Sequence, residues 1–286
     1  GTGTGTGVGT GTGTGTAGDL APVITVTGGT TTAHEIGTTY TDAGATALDD
    51  YEGAITVESS GTVDSSTAGT YTITYTATDS RDNSSTATRT VTVADTLAPV
   101  ITVTGGTATA HEMGSTYTDA GATALDAYEG AVTVVTSGDA TWLDQDGSPY
   151  VDAAIIGTYT ITYTAQDTVG NTSSVNRTVT VADTTAPVFT SSATFSVLEG
   201  LTSIGDVTVE QCCENSIYND NAGPVAFTIA SSDISIDSSS AALSFIYAQD
   251  YDSMYDEEGK LDYTAVVTAT DPSGNAANQT ITVTVL

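Results

Sequence analysis

Positive charge is almost missing from this chain. Its 286 residues carry four lysines and arginines against 35 aspartates and glutamates, a formal net charge of −31. Phosphate recognition needs clustered cations, so nucleic acid is excluded as a partner. Long apolar runs are missing too: no stretch approaches the roughly 18 consecutive apolar residues of a membrane-spanning helix. Segments of helical period are absent. The two cysteines, Cys212 and Cys213, are adjacent, so there is no spaced disulfide framework. No nucleophile, base and acid set stands out, and no cationic clamp could hold a phosphate or an oxyanion. An enzyme is therefore not expected. The chain opens at a glycine with no leader pattern, the expectation for a mature or truncated product.

What is present is acid, threonine, glycine and repetition. The surplus carboxylate fits bound divalent cations, a salty medium or simple colloidal solubility. A Thr-rich, Lys-poor, acidic chain suits the exterior of a microbe. The first sixteen residues, GTGTGTGVGTGTGTGT, alternate with the period of a strand. Such a strand has no domain of its own and must pair with another sheet edge. Gly1, Thr2, Gly3, Thr4, Gly5, Thr6, Gly7, Val8, Gly9 and Thr10 are its candidate assembly residues. No helix follows these glycines, so a phosphate loop is excluded.

Two segments of the chain are near copies. APVITVTGGT begins at Ala21 and again at Ala98, 77 residues later. AHEIGTTYTDAGATALDDYEGAITV from Ala33 returns from Ala110 at the same offset. GTYTITYTATD at Gly69 returns as GTYTITYTAQD at Gly157, 88 residues on, so the second copy holds 11 extra residues within Ser137–Ile156. Each copy closes on a strand, Thr88–Asp95 and Asn176–Asp183. Within Tyr71–Ala77, the apolar Tyr71, Ile73, Tyr75 and Ala77 alternate with threonines, the pattern of a half-buried sandwich strand. Short strands between Gly, Asp and Asn turns predict seven-stranded immunoglobulin-like sandwiches. The predicted fold class is all-β, with a Gly/Thr strand over 1–18 and sandwiches over 19–95, 96–183 and 184–286.

PVITVTGG, YTDAGATALD, GTYTITYTATD and the closing RTVTV strand resemble tandem bacterial Ig-like surface repeats of the HYR-like kind. The resemblance covers Ala21–Asp183 and implies an extracellular spacer or structural role. From Ala186, FSVLEG, IGDVTVE, FTIASSDISID, AQDYDS and YTAVVTATDPSGN resemble a bacterial cadherin-like domain. That resemblance implies calcium ligands at Glu199, Asp250, Asp252 and Asp271, the first three at the far end of the domain, where another subunit or further residues would have to complete the site. QCCENSIYNDNAG at Gln211–Gly223 departs from the family pattern and predicts a specialised loop.

The two Ig-like copies carry a comparable recurrence of acids. Asp19, Asp95 and Asp183 precede the Ala-Pro of each linker, and the prolines predict short, stiff joints. Asp42, Asp49, Glu52 and Asp79 recur as Asp119, Asp126, Glu129 and Asp167. Calcium takes six to eight oxygen ligands, which loops at one end of a sandwich could supply with the linker aspartate. The competing reading is that Asp and Gly simply make turns. His34 and His111, one per copy, lack the further ligands of a zinc site and read as solvated edge residues.

Cys212 and Cys213 read first as a vicinal disulfide, although their Cα atoms, about 3.8 Å apart across a trans peptide, sit below the usual range. An intermolecular bridge and free thiols are the alternatives. Sequons at Asn83, Asn171, Asn176 and Asn278 are candidate glycosylation sites. Trp142 and Tyr150 in the insertion form either a local core or a contact patch for glycan or subunit. Two extracellular roles fit: a filament or layer subunit polymerising with copies of itself through its Gly/Thr strand, or a calcium-stiffened stalk segment of a large adhesin.

Overall fold

The computed structural model describes residues 20–138, 155–210, 223–249 and 262–286. The Gly/Thr tract, Asp19, Trp142, Tyr150, both cysteines, Asp250 and Asp252 lie outside them. The described residues form strands and turns with no helix, as the alternating pattern requires.

The first repeat contributes β1 (Val23–Val26), β2 (Thr31–Glu35), β3 (Ala45–Asp49), β4 (Gly53–Ile55), β5 (Val57–Ser60), β6 (Gly69–Thr78) and β7 (Ser84–Ala94). They make a three-stranded sheet, β1-β3-β4, and a four-stranded sheet, β2-β7-β6-β5. β1 runs antiparallel to β3, whereas β2 runs parallel to β7, so the chain changes sheet between β1 and β2. Gly28 and Gly29 make that change with φ of 79° and 100°, a region that side chains with a Cβ avoid. Ile24, Val26 and Ala47 of one sheet meet Ile73, Tyr75, Ala77, Val91 and Val93 of the other in a single core. Each fully buried Val or Ile contributes about 1.5–3 kcal/mol by leaving water. The predicted inward face of β6 is thus the observed one.

The second repeat contributes β8 (Val100–Val103), β9 (Ala108–Glu112), β10 (Ala122–Asp126), β11 (Gly130–Val132), β12 (Val134–Gly138), β13 (Gly157–Gln166) and β14 (Thr172–Ala182). Its sheet orders, β11-β10-β8 and β12-β13-β14-β9, repeat the first strand for strand, including the parallel pair β9 with β14. Tyr163, Ile161, Val179 and Val181 are buried as their counterparts are.

The third region holds β15 (Val188–Phe189), β16 (Thr194–Val197), β17 (Ser203–Asp206), β18 (Val209–Glu210), β19 (Ala226–Ala230), β20 (Ile234–Ile236), β21 (Ala242–Phe245), β22 (Asp262–Thr270) and β23 (Ala276–Val285). Sheet β16-β23-β22-β19 again contains a parallel pair, β16 with β23, and β17-β21-β20 supplies Leu243, Phe245 and Ile234 to the shared core. The turn between β20 and β21 closes on Asp237, whose Oδ1 accepts from the amides and hydroxyls of Ser239 and Ser240. Those bonds, the Ser240 amide foremost, hold its carboxyl well below the ordinary 3.8. A carboxyl depressed in the folded state stabilises above its unfolded pKa, and the effect is lost as pH falls through the folded value. Asp237→Asn therefore lowers the urea midpoint at pH 7, and the gap to the parent closes only in acid below 3.8. Urea titrations at stepped pH measure this directly.

By contact, the chain divides into two compact units. One runs to Thr102 and takes in Thr123–Val134 and Ala165–Ser173; the other comprises Val103–Ala122, Val135–Thr164 and Ser174–Leu286. The linker after β7 therefore shares a unit with two loops of the second repeat. The linker after β14 shares a unit with the third region.

Candidate metal centre

Three loops follow one pattern, D-x-x-x-N, at Asp79–Asn83, Asp167–Asn171 and Asp271–Asn275. In each, the aspartate amide donates to the asparagine carbonyl at 3.0–3.1 Å. The carboxylate accepts from backbone amides ahead and from the asparagine side chain, at 2.7 Å for Asn171 Nδ2 on Asp167 Oδ2. Burial opposes ionisation of Asp79 and Asp167, yet the hydrogen bonds together, those from Asn83 and Asn171 foremost, outweigh it and hold both carboxyls below the ordinary value. These loops are self-capped turns, with the charge as the cap.

Two of these asparagines also reach back to the linkers. Asn171 Nδ2 donates to the Asp95 carbonyl at 3.3 Å, and Asn275 Nδ2 to the Asp183 carbonyl at 3.1 Å. From the preceding repeat, Glu35 accepts the amide and hydroxyl of Thr96, and Glu112 accepts those of Thr184 and the hydroxyl of Thr185. Pro99 and Pro187 are buried beside them. Each linker is thus held from both sides. Glu35, Glu112 and Asn275 were not among the residues singled out from sequence, although the repeated His-Glu pair and the D-x-x-x-N spacing were there to be read.

At the first linker three acids converge. Asp95, Asp126 at the end of β10 and Asp167 each present an oxygen within 4.8 Å of the others. Asp126 spends Oδ1 on the amides of Tyr128 and Glu129, at 2.8 and 3.0 Å. Its Oδ2 is buried without a hydrogen-bond donor, and so is Asp95 Oδ2. Burial, then Asp126, raises the Asp95 carboxyl above its ordinary value, with Asp167 and Glu35 adding to the effect.

Other sequence candidates lie elsewhere. Glu129 accepts the Thr168 amide at 3.0 Å and its hydroxyl, bracing the turn outside the cluster; Glu52 does the same for Ser80. Asp49 repeats the Asp126 geometry, with Oδ1 on two amides and Oδ2 buried and unpartnered. Asp183 and Asp271 are both buried, but Asp183 Oδ2 accepts the Ser273 hydroxyl. Glu199 is exposed after β16. Asp42 and Asp119, counted among the loop acids, are instead the counterions of buried Arg89 and Arg177, each at 2.5 Å. His34 and His111 bond to Thr38 and Ser115 and meet Tyr40 and Tyr117 edge to face.

Two of the four sequons need correction. Asn83 is 5% exposed with its nitrogen on Asp79, and Asn171 gives its nitrogen to Asp167 and Asp95. A glycan on either nitrogen would break the turn that presents it. Asn176 and Asn278 are exposed.

A family model described as "Bacterial surface protein, Ig-like domain" matches residues 24–93 and 101–181, more than half of the chain. The chain belongs to this family. Asp95 therefore falls between two matched Ig-like domains, and the family places the chain at the cell surface or outside the cell. No helix among the described residues is long and apolar enough to cross a membrane. No curated protein matches the chain. Among solved structures, protocadherin gamma B2 cadherin domains 3–6 is 18% identical, covering 90% of this chain and 71% of that one at a TM-score of 0.32. Drosophila N-cadherin EC1-3 is 13% identical, covering 76% of each at 0.30. Mouse cadherin-23 EC22-24 is 15% identical, covering 94% and 99% at 0.29.

Proposed function

We propose that this chain is a non-enzymatic stalk segment of a bacterial surface protein, built to keep successive domains in fixed register. The observation that carries the reading is the doubly held linker. The preceding repeat grips each linker through a glutamate, and the following domain grips it through an asparagine. Both joints use the same residues at the same places, so the geometry belongs to the repeat rather than to one accident of packing. Calcium is the cofactor that suits such a joint, since a cation shared by linker and loops adds to its stiffness.

The grip predicts slow amide exchange within the linkers. A hydrogen bond to a charged group contributes about 1.5–3 kcal/mol, so Glu112→Ala should speed exchange at the Thr184 amide by about 10- to 100-fold. Glu35→Ala should do the same at Thr96. Hydrogen exchange resolved by residue measures both, and unchanged rates would mean loose linkers and sink the stalk reading.

Polymerisation through the Gly/Thr tract is the other role the sequence offers. Electron microscopy of the chain with and without residues 1–16 separates the two. Ordered polymers lost on deletion favour a filament subunit; no polymer in either sample favours the stalk.

A further inference from the structure

The first joint carries three carboxylates and too few donors to satisfy them. Asp126 is 3% exposed, its Oδ2 has no hydrogen-bond partner, and its carboxylate lies beside those of Asp95 and Asp167. A buried charged oxygen without a donor is costly, and two more carboxylates beside it make the cost larger. Arg89 and Arg177 are committed to Asp42 and Asp119.

The two joints within the chain differ in their linker aspartates. At the second joint, Ser273 donates its hydroxyl to Asp183 Oδ2. The D-x-x-x-N alignment puts Val169 at the same place in the first joint. Valine has no donor, and Asp95 Oδ2 is left bare. The first joint lacks that hydroxyl and brings two further carboxylates beside Asp95. A cation is the partner that such an arrangement fits.

We propose that Asp95, Asp126 and Asp167 bind one divalent cation, calcium, at the joint between the two Ig-like repeats. The three donors are hard carboxylate oxygens with no histidine or cysteine among them, which disfavours zinc and copper. They come from a linker and two separate loops, a set that suits the variable geometry of calcium better than the strict octahedron of magnesium. Each carboxylate offers one or two oxygens, and water completes the six to eight ligands that calcium takes. Binding ties the linker carboxylate to two carboxylates of the second repeat, so it couples the joint to the concentration of free calcium.

The test uses the full chain, stripped with chelator and titrated with calcium chloride or magnesium chloride. Isothermal titration reads affinity, and a thermal melt reads the stabilisation that binding to the folded state alone must give. Calcium is expected to raise the melting temperature, and magnesium to do so less. Asp126→Asn keeps the Oδ1 acceptor of the turn and removes the charge. It should weaken the calcium affinity of this site by about tenfold or more, as losing one of three charged ligands implies. Asp64→Asn, at an exposed aspartate bonded within its own loop, should leave affinity unchanged. Val169→Ser, which restores the hydroxyl of the second joint, should also weaken binding. Circular dichroism confirms that each variant folds. No calcium-dependent shift in the parent, or the same affinity in Asp126→Asn, overturns the proposal. Neither outcome touches the exchange rates at Thr96 and Thr184, so the site and the stalk reading fail separately.

Discussion

Arg89→Ala should destabilise the first repeat by about 3–5 kcal/mol, the range for breaking one side of a buried ion pair. Arg89 has a side chain 4% exposed and lies 2.5 Å from Asp42 Oδ1. The same guanidinium donates to the carbonyls of Thr27 and Gly29, where the chain changes sheet. Its loss therefore leaves the Asp42 charge without its counterion and takes a donor from two carbonyls at the bend between β1 and β2. Tyr75 donates to both oxygens of Asp42 at 2.8 Å, and its phenol is pushed above the ordinary value by burial and then by that bond. Tyr75→Phe removes only this hydroxyl and should cost about 1.5–3 kcal/mol. Arg89→Met combined with Asp42→Leu should recover much of the loss, because a buried pair is often no better than apolar side chains of similar size. Urea unfolding of the four chains gives the comparison. A single-variant loss under about 1 kcal/mol would place the pair in the class of surface bridges instead. Arg177→Ala, with Asp119 and Tyr163, repeats the experiment in the second repeat.

The ion pair also marks where sequence reading stops. Alternation alone identified the inward face of β6, because a strand's period decides which side chains share a face. The repeat offsets carried the architecture from one copy to the next. Asp42, by contrast, reads as one more loop acid, since its partner lies 47 residues away and meets it only after the chain has changed sheets. Two of the three arginines stand at the same place in the closing strands, and that was the available signal.

The candidate metal centre divides in the same way. Asp95, Asp126 and Asp167 were legible as recurring acids, because repeats align equivalent positions. Glu129 was indistinguishable from them in sequence, and only the geometry gives it to Thr168. What sequence could not supply is the donor count. Whether an oxygen is satisfied turns on one neighbour, a serine at 273 and a valine at 169, and that matters only once the two loops are superimposed on their linkers.

Gly61→Ala should lower the stability of the first repeat by about 3 kcal/mol, combining a strained backbone, worth about 1–3 kcal/mol, with a clash. Gly61 follows β5 with φ of 101°, where an L side chain is rarely found. A Cβ there would sit 2.3 Å from the Thr72 carbonyl oxygen of β6. Neither group can step aside, since the Cβ is fixed by its own backbone, the oxygen is backbone, and the β5–β6 ladder runs up to the pair Ser60 and Thr74. The chain would have to open the end of that ladder. Gly138, the last residue of β12, takes the matching place in the second repeat, where a Cβ would meet the Thr160 oxygen at 2.4 Å. Its φ lies outside the left-handed region, so Gly138→Ala isolates the clash and Gly61→Ala adds the strain. Urea midpoints of the two variants should fall in that order, Gly61→Ala lower. Equal losses would show that close approach alone fixes glycine at both positions.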